Sequence, residues 1–128
     1  MNQQHQNSKK DHFIPFVLGN TKASLALASK VYKKCRISCF IIDTERSWRN
    51  FFSPAYFIPL TPSEERRLLC EQLIDLAKQY PNAMPILVPT TAQYSKAIEQ
   101  NRDLLERYFI IREPNALLSD SPLENIYH

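Results

Sequence analysis

Glycine is nearly absent from this chain, because Gly19 is the only glycine among 128 residues, where average usage would give about nine. A phosphate-binding turn of the dinucleotide type needs further glycines two and five residues after the first. Thr21 and Ser24 occupy those two positions. The dinucleotide-binding fingerprint is therefore excluded, although a single strand-to-helix turn at Gly19 is still expected.

Long hydrophobic runs are also lacking. No uninterrupted apolar run exceeds that of Cys39 to Ile42, far short of the roughly 20 residues that span a bilayer. The amino terminus is polar and has no apolar segment of the kind found in secretory signals. We therefore expect a cytoplasmic protein with no membrane partner.

Cysteine and histidine are too few and too scattered for most catalytic or metal sites. Cys35, Cys39 and Cys70 are an odd number without C-x-x-C spacing, which predicts reduced thiols that are buried and structural. The three histidines all lie near the chain ends, so no serine or cysteine inside the predicted folded region has a histidine base nearby in sequence. We predict no catalytic residue and no metal site.

Charge is balanced, with 16 Lys and Arg against 13 Asp and Glu for a net charge of +3. The cations are scattered rather than gathered into a stripe, so no nucleic-acid partner is expected. The length suits a single domain. We expect a disordered polar tail over residues 1–12, a folded domain over 13–118, and the start of a linker or helix over 119–128.

Apolar strands alternate with amphipathic helices along the folded region. Strands are predicted at Phe13–Leu18, Ile37–Ile42, Pro85–Val88 and Phe109–Ile111, with a further edge strand at Ala55–Leu60. Helices are predicted from Lys22 to about Lys34, from a capping box at Thr61–Glu64, and from Thr91 through Tyr108. This alternation indicates an α/β fold: an open, three-layer, doubly wound and mostly parallel Rossmann-like sheet of four or five strands.

Ligands of such folds bind outside the carboxyl ends of the strands. The candidate substrate-binding residues are those that follow the predicted strands, namely Gly19, Asn20, Thr21, Ser24, Asp43, Pro89, Thr90 and Thr91. The backbone at Gly19 and the side chains of the first turn could present donors to an anion. Helix capping by Asn20 or Thr21, and a turn role for Asp43, are the competing structural interpretations.

Two further segments stand apart. The loop from Trp48 to Tyr56 is rich in aromatic residues, and either closes over the sheet edge or meets a partner.

Ser121-Pro122-Leu123-Glu124 forms a second capping box with too few residues after it for a stable helix. We therefore expect the chain to be a domain fragment, either one domain cut from a longer protein or a truncated gene product.

The order of several short motifs resembles a known family. They are Leu18-Gly19, Ala23–Ala28 on the first helix, Ile41–Asp43, Ser53 before an aromatic strand, Ile86–Thr90, Asn101–Leu105 and Phe109. In this order, over about residues 13 to 128, the chain resembles the N-terminal, pre-ATP-grasp domain of carboxylate–amine ligases of the D-aspartate ligase-like group. Such domains have a biotin-carboxylase-N-terminal-like fold.

The resemblance implies that this chain is the substrate-side domain of an ATP-dependent amino-acid ligase and is not catalytic alone. ATP and magnesium would be bound by an ATP-grasp domain in the same or a partner chain, with no cofactor in this fragment. The ligand would be a small carboxylate or an amino acid, facing the loop after the first strand and the Pro89-Thr90-Thr91 turn. The family usually has an acidic residue after that turn, where this chain has Ala92 and Gln93.

The alternative function is a stand-alone Rossmann-like module that binds a ligand or another protein. The missing catalytic groups and the aromatic loop favour it. The oligomeric state, monomer or homodimer, is left open by the sequence.

Overall fold

The computed structural model describes residues 12–63 and 65–119. The predicted polar tail, apart from His12, and the capping box at Ser121 lie outside these residues.

A five-stranded, all-parallel sheet forms the centre of the protein, with strand order β3-β2-β1-β4-β5. The strands are β1 (Phe13–Leu18), β2 (Phe40–Asp43), β3 (Tyr56–Pro59), β4 (Met84–Pro89) and β5 (Ile110–Ile111). All four pairings are parallel. The predicted α/β, Rossmann-like open sheet is confirmed, and so is the edge position of the third strand.

Helices cover both faces of the sheet. They are α1 (Lys22–Cys35), α2 (Arg66–Lys78), α3 (Ala92–Gln100), α4 (Arg102–Leu105) and α5 (Pro114–Ser119), with a 3-10 helix at Trp48–Phe52. Leu27 and Val31 of α1 and Leu117 of α5 pack on one face. Leu73, Ile98 and Leu105, from α2, α3 and α4, pack on the other. Right-handed crossovers explain why the helices are divided between the two faces. A connection that leads towards β3 crosses one face of the sheet, and a connection that leads towards β5 crosses the other.

The second strand begins at Phe40 rather than at Ile37, and a proline in β1 explains the difference. Gly19 donates its N–H to Ile42 O at 2.8 Å. In a parallel sheet, every second residue of a strand donates its N–H to the same neighbouring strand. Counting back from Gly19 in steps of two, the residue that would donate to the Ser38 carbonyl is Pro15, which has no N–H. The ladder between β1 and β2 therefore begins at the Phe16–Phe40 pair.

The predicted capping box at Thr61 is wrong, because α2 begins at Arg66 with Glu65 as its N-cap. The chain leaving β3 is held extended: Leu60 donates its N–H to Asp43 O. The Gln72 side chain then pairs with both the N–H and the C=O of Thr61. Pro62, Ser63 and Glu65 consequently lie outside the helix, between β3 and α2.

The predicted helix from Thr91 through Tyr108 is broken at Asn101, whose φ of −127° and ψ of 23° are not helical. Its side-chain amide donates to Ala97 O at 2.9 Å. Such a bond competes with the helical backbone. It separates α3 from the single turn of α4, although the apolar spacing of the two continues.

Cys35, Cys39 and Cys70 are not joined in disulfide bonds. Cys39 and Cys70 are buried on opposite faces of the sheet, and Cys35 is half-buried. Burial, with a smaller contribution from Cys35, raises the pKa of the Cys39 thiol to about 12. Buried structural thiols are thus confirmed for two of the three cysteines. No helix within residues 12–63 and 65–119 is long and apolar enough to cross a membrane.

Candidate functional site

The candidate ligand-binding residues lie along one edge of the sheet. Gly19, Asn20 and Thr21 follow β1, Asp43 ends β2, and Pro89 ends β4 immediately before Thr90 and Thr91. Ser24 lies in the first turn of α1 and is completely buried. The parallel pairing of β2, β1 and β4 therefore gathers the residues proposed from sequence at the carboxyl edge, where this fold places ligands.

The strand order reverses between β1 and β4, and the crevice at this point is closed by the protein itself. Gly19 has a φ of +121°, and a Cβ placed there would collide with Thr90 Oγ1 and lie 3.2 Å from Thr91 Cγ2. Glycine is required at this turn because two threonine side chains pack against it. The prediction that Gly19 contacts a ligand stays a prediction.

A chain of hydroxyl groups links the two sides of this crevice. Thr90 Oγ1 donates to Leu18 O at 3.0 Å. With its only proton so used, Thr90 accepts from Ser24 Oγ at 2.8 Å, and Ser24 in turn accepts from Thr21 Oγ1 at 2.9 Å. Thr21 also caps α1 by accepting from the Ser24 N–H, as the capping interpretation predicted. All three hydroxyl protons therefore serve acceptors within the protein.

Asn20 is bonded in the same way. Its side-chain amide donates to Glu45 O at 3.0 Å and to Asn50 Oδ1 at 2.9 Å, which uses both protons of the amide. Its backbone N–H donates to Asp43 Oδ2 at 2.7 Å. The side-chain donors proposed for an anion at the β1 turn thus hold the turn in place in this structure.

Asp43 joins the closed crevice to an open cleft beside it. Its Oδ1 accepts from the Thr44 N–H and from Tyr94 Oη, each at 2.7 Å. Burial first, and then the hydrogen bond to the Asp43 carboxylate and its negative charge, raise the pKa of Tyr94. Tyr94 therefore stays a protonated donor at neutral pH and fixes the orientation of the carboxylate.

The open cleft has a volume of about 700 Å³, within the range of small-molecule sites. It lies between the carboxyl end of β2, the residues Leu60, Thr61, Ser63 and Glu65, and the first turns of α3. Leu60 and Leu69 contribute apolar surface, and Thr91, Gln93 and Lys96 contribute polar groups. The cleft lies beside the reversal of strand order between β1 and β4, because α2 and α3 cover the same face of the sheet there.

Charges of both signs line this cleft. Asp43 and Glu65 are the acidic residues and Lys96 is the basic one. At the start of α3, Thr91 Oγ1 accepts from the Tyr94 N–H, so the N–H groups of Ala92 and Gln93 remain for an anion. The arrangement can receive a cationic and an anionic group of one small ligand.

Sequence reasoning did not identify Tyr94 and Lys96 as candidate site residues. Helical spacing places Tyr94 among the apolar residues of its helix, yet it is the third residue after the N-cap Thr91. A polar-tipped ring in the first turn after a parallel strand is a signal that could have identified it. Lys96 could not be placed without knowing that α2 and α3 share a face.

The aromatic loop does not cover the sheet edge. Trp48, Phe51 and Phe52 are exposed on the 3-10 helix, and Tyr56 is exposed on β3. Of the two interpretations left open by the sequence, this geometry favours contact with a partner.

Within residues 12–63 and 65–119, no group of three or more His, Cys, Asp or Glu side chains could hold a metal ion. No protein-family model, curated protein or solved structure matches this chain.

Proposed function

We propose that this chain binds an amino acid or a similar small carboxylate in the cleft between α2 and α3. The observation that carries the proposal is the cleft itself, a polar cavity of about 700 Å³ with Asp43 and Lys96 in its lining, at the carboxyl edge of the sheet. Rossmann-like sheets bind ligands at this edge.

The lining suggests how such a ligand is oriented. Its carboxylate would lie near Lys96 and the first N–H groups of α3, where the helix dipole favours negative charge. Its ammonium group would lie near Asp43 and Glu65. Asp43 already accepts three hydrogen bonds, so it contributes mainly a fixed negative charge and one remaining lone pair.

The resemblance to carboxylate–amine ligases supports a larger role as the substrate-side domain of an ATP-dependent amino-acid ligase. In that role an ATP-grasp domain, in the same chain or a partner, would supply ATP and magnesium and activate a carboxylate for attack by an amine. This chain would provide one wall of the active site and would hold the amino acid. We expect the purified chain alone not to hydrolyse ATP, and magnesium-dependent turnover by it would contradict this role.

Calorimetric titration with a panel of free amino acids tests the binding proposal. We expect saturable binding of at least one member, weakened about 10-fold by Lys96→Met, which removes one charged contact. Arg67→Met is the matched control, because Arg67 is an exposed cation on α2 outside the cleft lining. The absence of binding by every amino acid would contradict the proposal, as would equal weakening by both variants.

The second candidate is a stand-alone binding module, which the exposed aromatic rings of the 3-10 helix favour. The gene region around this chain distinguishes the two functions. An ATP-grasp domain encoded downstream or beside it would support the ligase role. Binding of an amino acid without any such domain would favour the stand-alone module.

A further inference from the structure

Three aromatic side chains project into solvent from one short helix. Trp48, Phe51 and Phe52 are 65%, 75% and 80% exposed. Trp48 and Phe52 lie edge to face, with ring centroids 6.0 Å apart. We call these three rings, with the flanking charged side chains, the aromatic patch: Glu45, Arg46, Trp48, Arg49, Phe51 and Phe52.

The backbone beneath the rings is held firmly. Asn50 Oδ1 accepts from the Ser47 N–H at 2.8 Å and from Asn20 Nδ2 at 2.9 Å. Asn50 Nδ2 donates back to Asn20 Oδ1 at 3.3 Å. The rings are thus presented on a fixed scaffold, and rigid aromatic anchors lose little conformational entropy when they bind.

The charges beside the rings are of both signs. Arg49 lies over the Trp48 ring at 5.0 Å and Arg46 over the Phe57 ring at 5.2 Å, while Glu45 is exposed next to them. In a two-fold symmetric contact, every pair formed between a residue of one copy and a residue of the other is accompanied by the reverse pair. A glutamate and arginines in the same patch can therefore pair across such an axis, whereas a patch of one sign would repel itself.

The area of the patch agrees with a dimer contact. At these exposures, rings of about 200 Å² each offer roughly 440 Å² of accessible surface. The exposed side chains of Glu45, Arg46 and Arg49 extend this towards the ~800 Å² per partner of a standard interface. An aromatic core with arginines at its margin also has the composition of interface hot spots.

The nearby edge of the sheet offers no competing route to dimerisation. The N–H groups of Tyr56 and Leu60 donate to the backbone of the neighbouring chain segment Cys39–Asp43. The backbone positions of β3 that point away from β2, to the free edge, are therefore those of Phe57 and Pro59. Pro59 has no N–H, and Ala55 donates its N–H to Ser53 Oγ. Strand addition at this edge is therefore disfavoured.

We propose that the aromatic patch is the interface of a homodimer of this chain. Two copies would pack Trp48, Phe51 and Phe52 against each other about a two-fold axis, with Glu45 of each facing an arginine of the other. A nucleic-acid or membrane partner is less well matched, since two arginines beside a glutamate give little net charge for phosphate.

Analytical ultracentrifugation over a concentration series tests the proposal. We expect the full chain to be dimeric at about 100 µM, and the double variant Phe51→Glu, Phe52→Glu to raise the dimer Kd at least ~100-fold. Tyr56→Glu is the matched control, because Tyr56 is also an exposed ring (61%). Its ring contacts that of Phe40, on the face covered by α2, whereas Arg46 of the patch lies over Phe57, which packs on the other face. This control should leave the Kd unchanged, and circular dichroism should show both variants folded.

Three results would overturn the proposal. The first is a wild-type chain that is monomeric at every concentration. The second is a dimer that persists in the double variant, which would place the interface elsewhere. The third is a monomer that binds oligothymidylate, or vesicles of phosphatidylcholine and phosphatidylserine, through Phe51 and Phe52. The test does not involve the ligand, so its outcome is independent of the proposed function.

Discussion

Two neighbouring regions at the carboxyl edge of the same sheet differ in what fills them. The crevice between β1 and β4 is occupied by Thr90 and Thr91, packed against Gly19 and tied to α1 by the hydroxyl of Ser24. The cleft between α2 and α3, one strand away, is open and lined by polar groups. A strand-order reversal marks where a crevice can form, and the side chains that follow the strands decide whether it stays open.

The difference also separates two kinds of hydrogen-bond donor. In the closed crevice, each hydroxyl proton of Thr21, Ser24 and Thr90 already serves an acceptor in the protein. In the open cleft, Lys96 and the first turn of α3 face solvent. Variants in the crevice should therefore change stability, and variants in the cleft should change ligand binding.

Gly19→Ala is expected to have the largest effect on stability. A Cβ at a φ of +121° is strained, and it would also collide with Thr90 Oγ1. We expect the free energy of unfolding to fall by about 3 kcal/mol, measured by urea denaturation.

The double variant Gly19→Ala, Thr90→Ala separates the collision from the backbone strain. It removes the colliding oxygen and leaves Thr90 Cβ at an ordinary distance of 3.7 Å. We expect the double variant to be at least ~1 kcal/mol more stable than the sum of the single effects. Strict additivity would show that Thr90 does not fill the crevice.

Ser24→Ala is expected to have the next largest effect. It leaves the Thr21 hydroxyl without its acceptor and Thr90 without a donor, at a completely buried position. The cost should be about 1–3 kcal/mol, with ligand affinity unchanged. Ser95→Ala, at a half-buried position of α3, is the control and should change stability by less than ~0.5 kcal/mol. A loss of affinity without a loss of stability would place Ser24 in the binding site instead.

The sequence predicted the order of elements well because apolar runs and helical spacing report burial directly. β1 was predicted with its observed ends. The helix predicted from Thr91 begins one residue later, at Ala92, with Thr91 as its N-cap. The start of β2 was not predictable from its own residues, because Pro15 in β1 determines where that ladder begins. The start of α2 was missed because Gln72, eleven residues later, holds Thr61 extended.

For the candidate site, the rule that ligands bind at strand carboxyl ends brought together Gly19, Asp43 and Thr90. Whether Thr90 faces a ligand or fills the crevice depends on its distance from Gly19. Local sequence patterns cannot predict this distance, because the two residues are far apart in the chain. Tyr94 and Lys96 were missed because their role depends on which face α2 covers. Tertiary arrangement, rather than local preference, divides the predicted residues between the two regions.

Tyr94→Phe should have a smaller effect on stability, below ~1 kcal/mol at neutral pH, because one hydrogen bond to Asp43 is lost. The pH dependence is more informative. The pKa of Tyr94 is raised in the folded protein, so the unfolded chain loses this proton first, above about pH 10. Wild-type stability should fall there as pH rises, and the variant should fall less steeply. Identical slopes would contradict both the burial of the Tyr94 hydroxyl and its bond to Asp43.

Lys96→Met is expected to have the smallest effect on stability, within ~0.5 kcal/mol, because Lys96 is exposed. Its effect should appear in ligand binding alone. A melting temperature lowered as much as in Ser24→Ala would show that the cleft and the crevice are not separable in the way described.

The most direct test of the central claim is an amide chemical-shift titration of the full chain with a panel of amino acids. We predict saturable shifts at Thr44, Gln93, Tyr94 and Lys96, which line the open cleft, with little change at Ser24. Shifts centred on Gly19 and Ser24, or no saturable shift with any amino acid, would contradict the assignment of the cleft as the binding site.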